Sequence, residues 1–409
     1  MNQITDRHRD ATLAKLLTCF MFFTFAMTTD AVGSVIPRVI EEYRLSMTAA
    51  SAFQYATMLG IASGALLLGF LADRLGRRRT IILGLSLYGI SSLLVAIGGH
   101  FSALVAMLAL SGLGISVFKT AALALIGDIT ASPQAHTRFM NNVEGWFAVG
   151  AIAGPAIVAA LLTGGVSWKW LYVVAAAICL VLVLMAARVP NPAPRARVER
   201  ASLAQMLHVM RDRLALGFSL LVMLYVAVEV AIYTWMPTYL KGYAGAHMWW
   251  PAWALTAFFV LRAAGRFLGA WMLERVPWTL ALAVLGALIF ACFCGALLGG
   301  LRLGVWLLPL SGLFMSIVYP TLNSKAISCF PRQQHGAAAG VILFFTALAA
   351  AAGPLAMGAV SDIWRTPRAG FVLATAFSAL LFVGLLANWL RNPSRHRLEG
   401  AATAGNLSR

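Results

Sequence analysis

Seven ionisable side chains sit inside long apolar runs of this 409-residue chain: Asp30, Lys119, Glu144, Glu229, Arg262, Arg266 and Lys325. A charge withdrawn from water is costly unless it is paired, hydrogen-bonded or neutralised by a proton. Such residues mark either a structural ion pair or a site that handles charge. The carboxylates can exchange protons, and Lys119 can hold an anion. Lys119 and Glu144 fall at similar depth on the two arms of one expected helical hairpin, so they suit an ion pair, alone or with a ligand-contacting role. Arg262 and Arg266 are four apart and share one helix face. Arg266 and Lys325 lie nearer the ends of their runs, where anchoring suffices. Asp30 and Glu229 stand at almost the same depth in two different runs, since subtracting 200 from 229 gives position 29, one residue from Asp30. Asp30, Glu229 and Glu144 are the candidates for proton exchange.

The elements that carry these residues follow from composition. The chain is 61% hydrophobic and 11% charged. A spanning helix needs roughly 20 apolar residues, and twelve such stretches are read near 14–36, 47–71, 80–98, 102–127, 139–163, 170–187, 215–238, 250–273, 278–299, 303–327, 336–359 and 369–390. The net charge of +17 raises the question of nucleic acid, but the positions of the charges oppose it. With a cytoplasmic N-terminus and alternating spans, about 21 of the 31 Lys and Arg fall in or beside the tails and cytoplasmic loops, and about 7 outside. That asymmetry is the positive-inside pattern of a multi-pass membrane protein with both termini in the cytoplasm. No basic and aromatic stripe lies outside the spans to bind nucleic acid. Tyr239, Trp249 and Trp250 read as interface-belt aromatics.

The five cysteines lie within or at the ends of apolar runs and have no metal-ligand or disulfide-framework spacing. The first apolar run is too long for a cleaved signal peptide. No nucleotide-binding loop, metal cluster or catalytic constellation occurs, so the expectation is a protein that is not an enzyme and holds no metal or cofactor.

The two halves echo one another at an offset near 200. Ser111-Gly112-Leu113 recurs as Ser311-Gly312-Leu313, Ser116 as Ser316 and Gly69 as Gly269; Gly154-Pro155 recurs as Gly353-Pro354 to within one residue. Duplication of a six-span unit is the economical explanation. It divides the chain into an N-terminal bundle over 1–188, a cytoplasmic linker over 189–213 and a C-terminal bundle with a short cytoplasmic tail over 214–409. The linker carries Pro190, Pro192 and Pro194 and a cluster of basic residues, with a short amphipathic helix expected from Leu203.

Between the second and third spans runs Gly69-Phe70-Leu71-Ala72-Asp73-Arg74-Leu75-Gly76-Arg77-Arg78-Arg79. This G-x-L-x-D-R-x-G-R-R-R pattern resembles the loop between helices two and three of the major facilitator superfamily. The resemblance covers nearly the whole chain. It implies an all-α membrane protein of twelve helices in two pseudo-symmetric six-helix bundles, which rock about a central site near the bilayer midplane. It also implies a monomer in a bacterial inner membrane. The charged loop would act as a latch on the cytoplasmic side: Asp73 at a helix N-terminus, Gly69 and Gly76 permitting close backbone approach, Arg77 reaching Asp128, with Arg74, Arg78 and Arg138 beside them. The equivalent stretch of the second half, Gly269-Ala270-Trp271-Met272-Leu273-Glu274-Arg275-Val276-Pro277, has lost the pattern.

Phe314-Met315-Ser316-Ile317-Val318-Tyr319-Pro320-Thr321 is similar to the F-M-S-I-x-Y-P-T signature of the fucose–galactose–glucose:proton symporter branch. Gly112-Leu113-Gly114 with Thr120-Ala121-Ala122, and Arg138, Asn141 and Gly150-Ala151-Ile152, resemble the same branch. The chain departs from it where an acidic residue precedes T-A-A, here Lys119, and where a Gln stands, here Glu144. Asp30 also lies seven residues before Pro37, a longer spacing than in the permease. Pro320 interrupts its helix and frees carbonyls beside Tyr319 and Asn323. Sugar sites combine aromatic faces with amides and carboxylates, which makes Asp30, Lys119, Asn142, Glu144, Trp146, Tyr225, Glu229, Tyr233, Trp235, Arg262, Tyr319, Asn323 and Phe345 substrate-contact candidates. The expectation is a proton-coupled secondary transporter for a small sugar or sugar-like solute. Lys119 keeps open an organic-anion or drug exporter on the same scaffold.

Overall fold

The computed structural model describes residues 2–68, 71–130, 132–189, 203–331 and 334–399. All regular structure among the described residues is helical. In an apolar medium each backbone N–H and C=O must be satisfied within its own segment, and a run of aliphatic and aromatic residues meets that demand as a helix. Eleven helices among the described residues are long and apolar enough to cross a membrane.

The chain forms two compact units. The first holds 1–45 and 49–197, and the second holds 198–409 together with Ser46–Thr48. The first contains α1 (Asn2–Thr29), α2 (Val32–Tyr43), α4 (Ala52–Leu67), α5 (Leu71–Arg74), α6 (Arg77–Ile97), α7 (Phe101–Ile129), α8 (Pro133–Thr163) and α9 (Trp170–Arg188); α3 (Met47–Ala50), whose first two residues group with the second unit, leads into α4. The second contains α10 (Leu203–Met210), α11 (Arg213–Leu240), α12 (Trp250–Arg275), α13 (Trp278–Leu298), α14 (Gly300–Met315), α15 (Val318–Ser328), α16 (His335–Ile363) and α17 (Pro367–Arg391). The first span of the sequence is thus α1 and α2, broken at Asp30-Ala31. The second is α3 and α4, interrupted at Ser51, and α4 alone has only 16 residues. The tenth is α14 and α15, broken at Ser316-Ile317. Pro320 lacks the N–H that would bond the Ser316 carbonyl, so the helix fails one turn before it. The amphipathic helix of the linker is α10; residues 190–202 lie outside the described residues.

The 200-residue echo has a packing counterpart. In the first unit a Cβ on Gly112 of α7 would collide with the Thr57 carbonyl of α4. In the second, a Cβ on Gly312 of α14 would collide with the Phe258 carbonyl of α12. In each unit a glycine thus brings the corresponding helix pair into backbone contact, the small-residue packing that holds helices together where no water drives them. Of the three expected belt aromatics, Tyr239 instead joins the packing of its unit, 4.5 Å from the Phe371 ring. Trp249 is exposed, and Trp250 stacks 4.9 Å from Trp306.

Asp212 starts α11. Its Oδ1 accepts from the N–H groups of Leu214 (2.8 Å) and Ala215 (3.2 Å), while its Oδ2 accepts from Arg397 (2.7 Å) in the C-terminal segment. Burial alone would raise the Asp212 pKa, but the Arg397 hydrogen bond, the two N–H groups and the guanidinium charge together hold it below the usual carboxylate value. A depressed pKa in the folded state contributes stability that is complete above the unfolded value of about 4 and is lost as pH falls through the folded value. Asp212→Ala should cost about 0.5–2 kcal/mol as a lost cap and speed amide exchange in the first turn of α11. The wild-type advantage over this variant should shrink on acidification below about pH 4; a pH-independent difference would contradict the assignment.

Candidate functional site

In the first unit, Asp30 sits where α1 gives way to α2, half-buried, with its N–H bonded to the Ala26 carbonyl (3.0 Å). Lys119, on α7, is half-buried over two phenylalanine rings of α1. Its Nζ lies 4.7 Å from the Phe25 centroid and 5.8 Å from that of Phe22. Glu144 and then Asp30 are the acids whose charge acts on it. The expected Lys119–Glu144 pair is therefore looser than a direct salt bridge, with aromatic faces supplying the close contacts. Beside it, Phe20 and Phe23 of α1 pack on Trp146 of α8, with centroids 4.9 and 6.4 Å away. Phe20 and Phe23 fall on one stripe of α1, and Asp30 follows seven residues on, just past its end. All three are half-buried while their neighbours are buried. Asn142 and Glu144 are exposed on α8, and the Asn142 amide lies 3.8 Å from Cys19 Sγ.

In the second unit, Glu229 forms an ion pair with Arg262, joining α11 to α12. The Glu229 residue is only 8% exposed. The Tyr225 hydroxyl, one turn before Glu229, donates to the Met315 carbonyl (2.9 Å) and lies 3.3 Å from Glu229 Oε1. Met315 ends α14, where carbonyls run out of intrahelical partners. The helix break thus offers the acceptor that fixes Tyr225. The Tyr319 ring, half-buried at the start of α15, lies 6.2 Å from that of Tyr225. Asn323 is half-buried one turn further along α15, and Arg266 is exposed.

Other candidates are placed elsewhere. Trp235 is 1% exposed and its indole N–H donates to the Pro354 carbonyl (3.1 Å), so it serves the packing of α11 on α16. Phe345 is half-buried, 5.6 Å from Phe344, and Tyr233 is half-buried on α11. Lys325 lies 5.9 Å from the Trp278 ring. In the charged loop, Arg77 donates to Asp128 (3.0 Å) and to the Ala72 carbonyl (3.0 Å). Gly76, at the turn, has φ +81°. Arg74 and Arg138 are exposed and Arg78 is half-buried. Gly69 and the Asp73 side chain lie outside the described residues. Two contributors escaped sequence reading. The Met315 carbonyl carries no side-chain signal. The Phe20–Phe25 run looks like any apolar helix until Lys119 is placed over it.

The Major Facilitator Superfamily model matches residues 18–342 and 251–407. The chain belongs to this superfamily. As a member it is a multi-pass membrane transporter and not an enzyme. It is 27% identical over 369 residues to the 3-(3-hydroxy-phenyl)propionate transporter of Escherichia coli K12, covering 85% of this chain and 86% of that one. It is 25% identical over 365 residues to the 4-hydroxybenzoate transporter of Pseudomonas aeruginosa, covering 80% of each. The solved Escherichia coli fucose:proton symporter superposes with a TM-score of 0.62 at 20% identity, covering 95% of this chain and 99% of that one. That likeness is one of fold: twelve helices in the superfamily arrangement.

The Glu229–Arg262 pair is a test of the site. Arg262→Leu would leave a carboxylate in an apolar bundle without its cation, a loss of about 3–5 kcal/mol. Glu229→Leu/Arg262→Leu should recover most of it. Thermal unfolding in detergent reads both; a double variant no more stable than the single one would show that the two charges are not coupled.

Proposed function

We propose that this transporter carries a small organic anion, an aromatic carboxylate, into the cell together with protons. The observation that carries the reading is the buried Glu229–Arg262 pair with Tyr225 beside it. A site with one carboxylate and one guanidinium is neutral. If a substrate carboxylate takes Arg262, neutrality returns only when Glu229 binds a proton. The surroundings serve both states of Glu229. Charged, it faces Arg262. Protonated, it can donate to the Tyr225 oxygen, whose own proton is directed at Met315 O. Proton and anion therefore enter the site as a neutral pair, the physical content of symport. Tyr319, whose ring lies 6.2 Å from that of Tyr225, offers a face for an aromatic substrate.

In the first unit, Lys119 stands among Asp30 and Glu144, an arrangement with one more acid than base. An anion near Lys119 is favoured only when those acids are protonated, so this cluster pulls in the same direction. The roles assigned are proton exchange at Glu229, Asp30 and Glu144, carboxylate binding at Arg262 and Lys119, and ring contact at Tyr319 and Trp146. Arg77–Asp128 would brace the cytoplasmic loop through the transport cycle of alternating access. The distribution of Lys and Arg supports cytoplasmic termini and the inner membrane of a bacterium. Two relatives that align along most of this chain are transporters of hydroxylated aromatic acids, which supports an aromatic carboxylate over the neutral sugar suggested by Phe314–Thr321. The polar aromatics and the cations in the two clusters serve an aromatic acid as well as they would serve a sugar.

Proteoliposomes with an inward proton gradient should accumulate benzoate or 3-phenylpropionate and not fucose or xylose. Arg262→Gln should weaken apparent affinity by roughly 10–150-fold, the equivalent of about 1.5–3 kcal/mol for a hydrogen bond to a charged group. Accumulation of neutral sugars alone would refute the anion reading.

A further inference from the structure

Under the positive-inside pattern the loops on the outer side should be poor in Lys and Arg. The second unit breaks this pattern. With the orientation proposed above, the outer end of this unit carries Lys241 and Arg365 in its turns and Arg302 and Arg368 in the first turns of α14 and α17. The acid among them is Asp362, whose oxygens accept from the N–H groups of Met47 and Thr48 (2.8 Å each), residues that group with this unit.

Two of these cations line a cavity of about 840 Å³. It opens where the end of α11, the α13–α14 turn and the α16–α17 turn meet, and no Asp or Glu lines it. Arg368 donates from Nη2 to the Leu297 carbonyl at the end of α13 (3.1 Å), which holds the guanidinium at the rim. The Thr238 hydroxyl on the wall is buried without a hydrogen-bond partner. The α17 N-terminus, capped by Thr366, adds the positive end of a helix dipole.

We propose that this cavity is an anion-capture site, where Lys241 and Arg368 bind a carboxylate or phosphate group at the outer mouth of the second unit. It rests on the anion reading and the orientation above. A site of this kind concentrates anions where they approach, because a positively lined recess raises their local concentration and their rate of encounter. Arg262 is not among the residues that line it, so occupation of one does not require the other. The same chemistry suits a free aromatic carboxylate and the phosphate of an anionic lipid.

The test is equilibrium binding of benzoate, and separately of inorganic phosphate, to the intact protein in phosphatidylcholine nanodiscs at low ionic strength. A weak, salt-sensitive component is expected for both anions. Lys241→Gln/Arg368→Gln should weaken it at least about tenfold, and Lys241→Arg/Arg368→Lys, which keeps both charges, should retain it. Displacement of both anions by phosphatidylglycerol in the disc would identify a lipid headgroup as the preferred occupant and support the site. Binding that is insensitive to salt, unchanged in the double Gln variant, or absent for both anions would overturn it. Uptake in proteoliposomes is a separate readout, so failure of benzoate transport would leave the phosphate measurement standing as a test of this site.

Discussion

Burying a charge in an apolar helical bundle costs several kcal/mol, and the cost falls away only where an opposite charge, a hydrogen-bonding group or a proton meets it. This requirement organises both units. In the second, α11 presents Glu229 and α12 presents Arg262, and the two neutralise each other. In the first, Lys119 shares its region with Glu144 and Asp30 and rests on the faces of Phe25 and Phe22. Neutrality must be kept at each step of a transport cycle. An anion that enters such a site therefore brings a proton with it or displaces a carboxylate from its partner. Function follows from the same electrostatics that decides whether these helices pack at all.

Helix breaks give the charges their surroundings. A continuous helix consumes its own carbonyls, whereas α14 ends at Met315 and leaves one for the Tyr225 hydroxyl. A second break, at Asp30-Ala31, puts a carboxylate at the junction of two helices. Both interruptions fall in apolar spans where irregular backbone is tolerated only if its polar groups find partners. One break fixes Tyr225, whose hydroxyl lies 3.3 Å from Glu229 Oε1, and the other carries Asp30; Glu229 and Asp30 are among the groups assigned to proton exchange.

Much of this was legible in the residues, for identifiable reasons. Apolar length marked the spans, and the glycine echo at 200 residues marked close helix contacts in both units, because such contact leaves few residue types possible at Gly112 and Gly312. Arg77 and Asp128 were paired by expectation from the loop pattern and lie 3.0 Å apart. The site was legible only as a set of charges. Sequence depth placed Glu229 and Arg262 in neighbouring spans without saying that they touch, and suggested a direct Lys119–Glu144 bridge where ring faces take the close contacts. Trp235 and Tyr239 looked like surface or cavity aromatics. Which face of α11 they occupy depends on where α16 and α17 pack, and hydropathy does not encode that in a helix apolar all round. The span-ten motif pointed to a sugar because it reports a helix break, which different substrates can exploit.

The central claim is that anion and proton enter the Glu229–Arg262 site together. The most direct test is to count protons taken up when benzoate binds to the protein in nanodiscs, using weakly buffered solution and a pH indicator near neutrality. The account predicts proton uptake on binding in the wild type and its loss in Glu229→Gln, with binding itself retained. Benzoate binding without proton uptake, or uptake unchanged in Glu229→Gln, would contradict it.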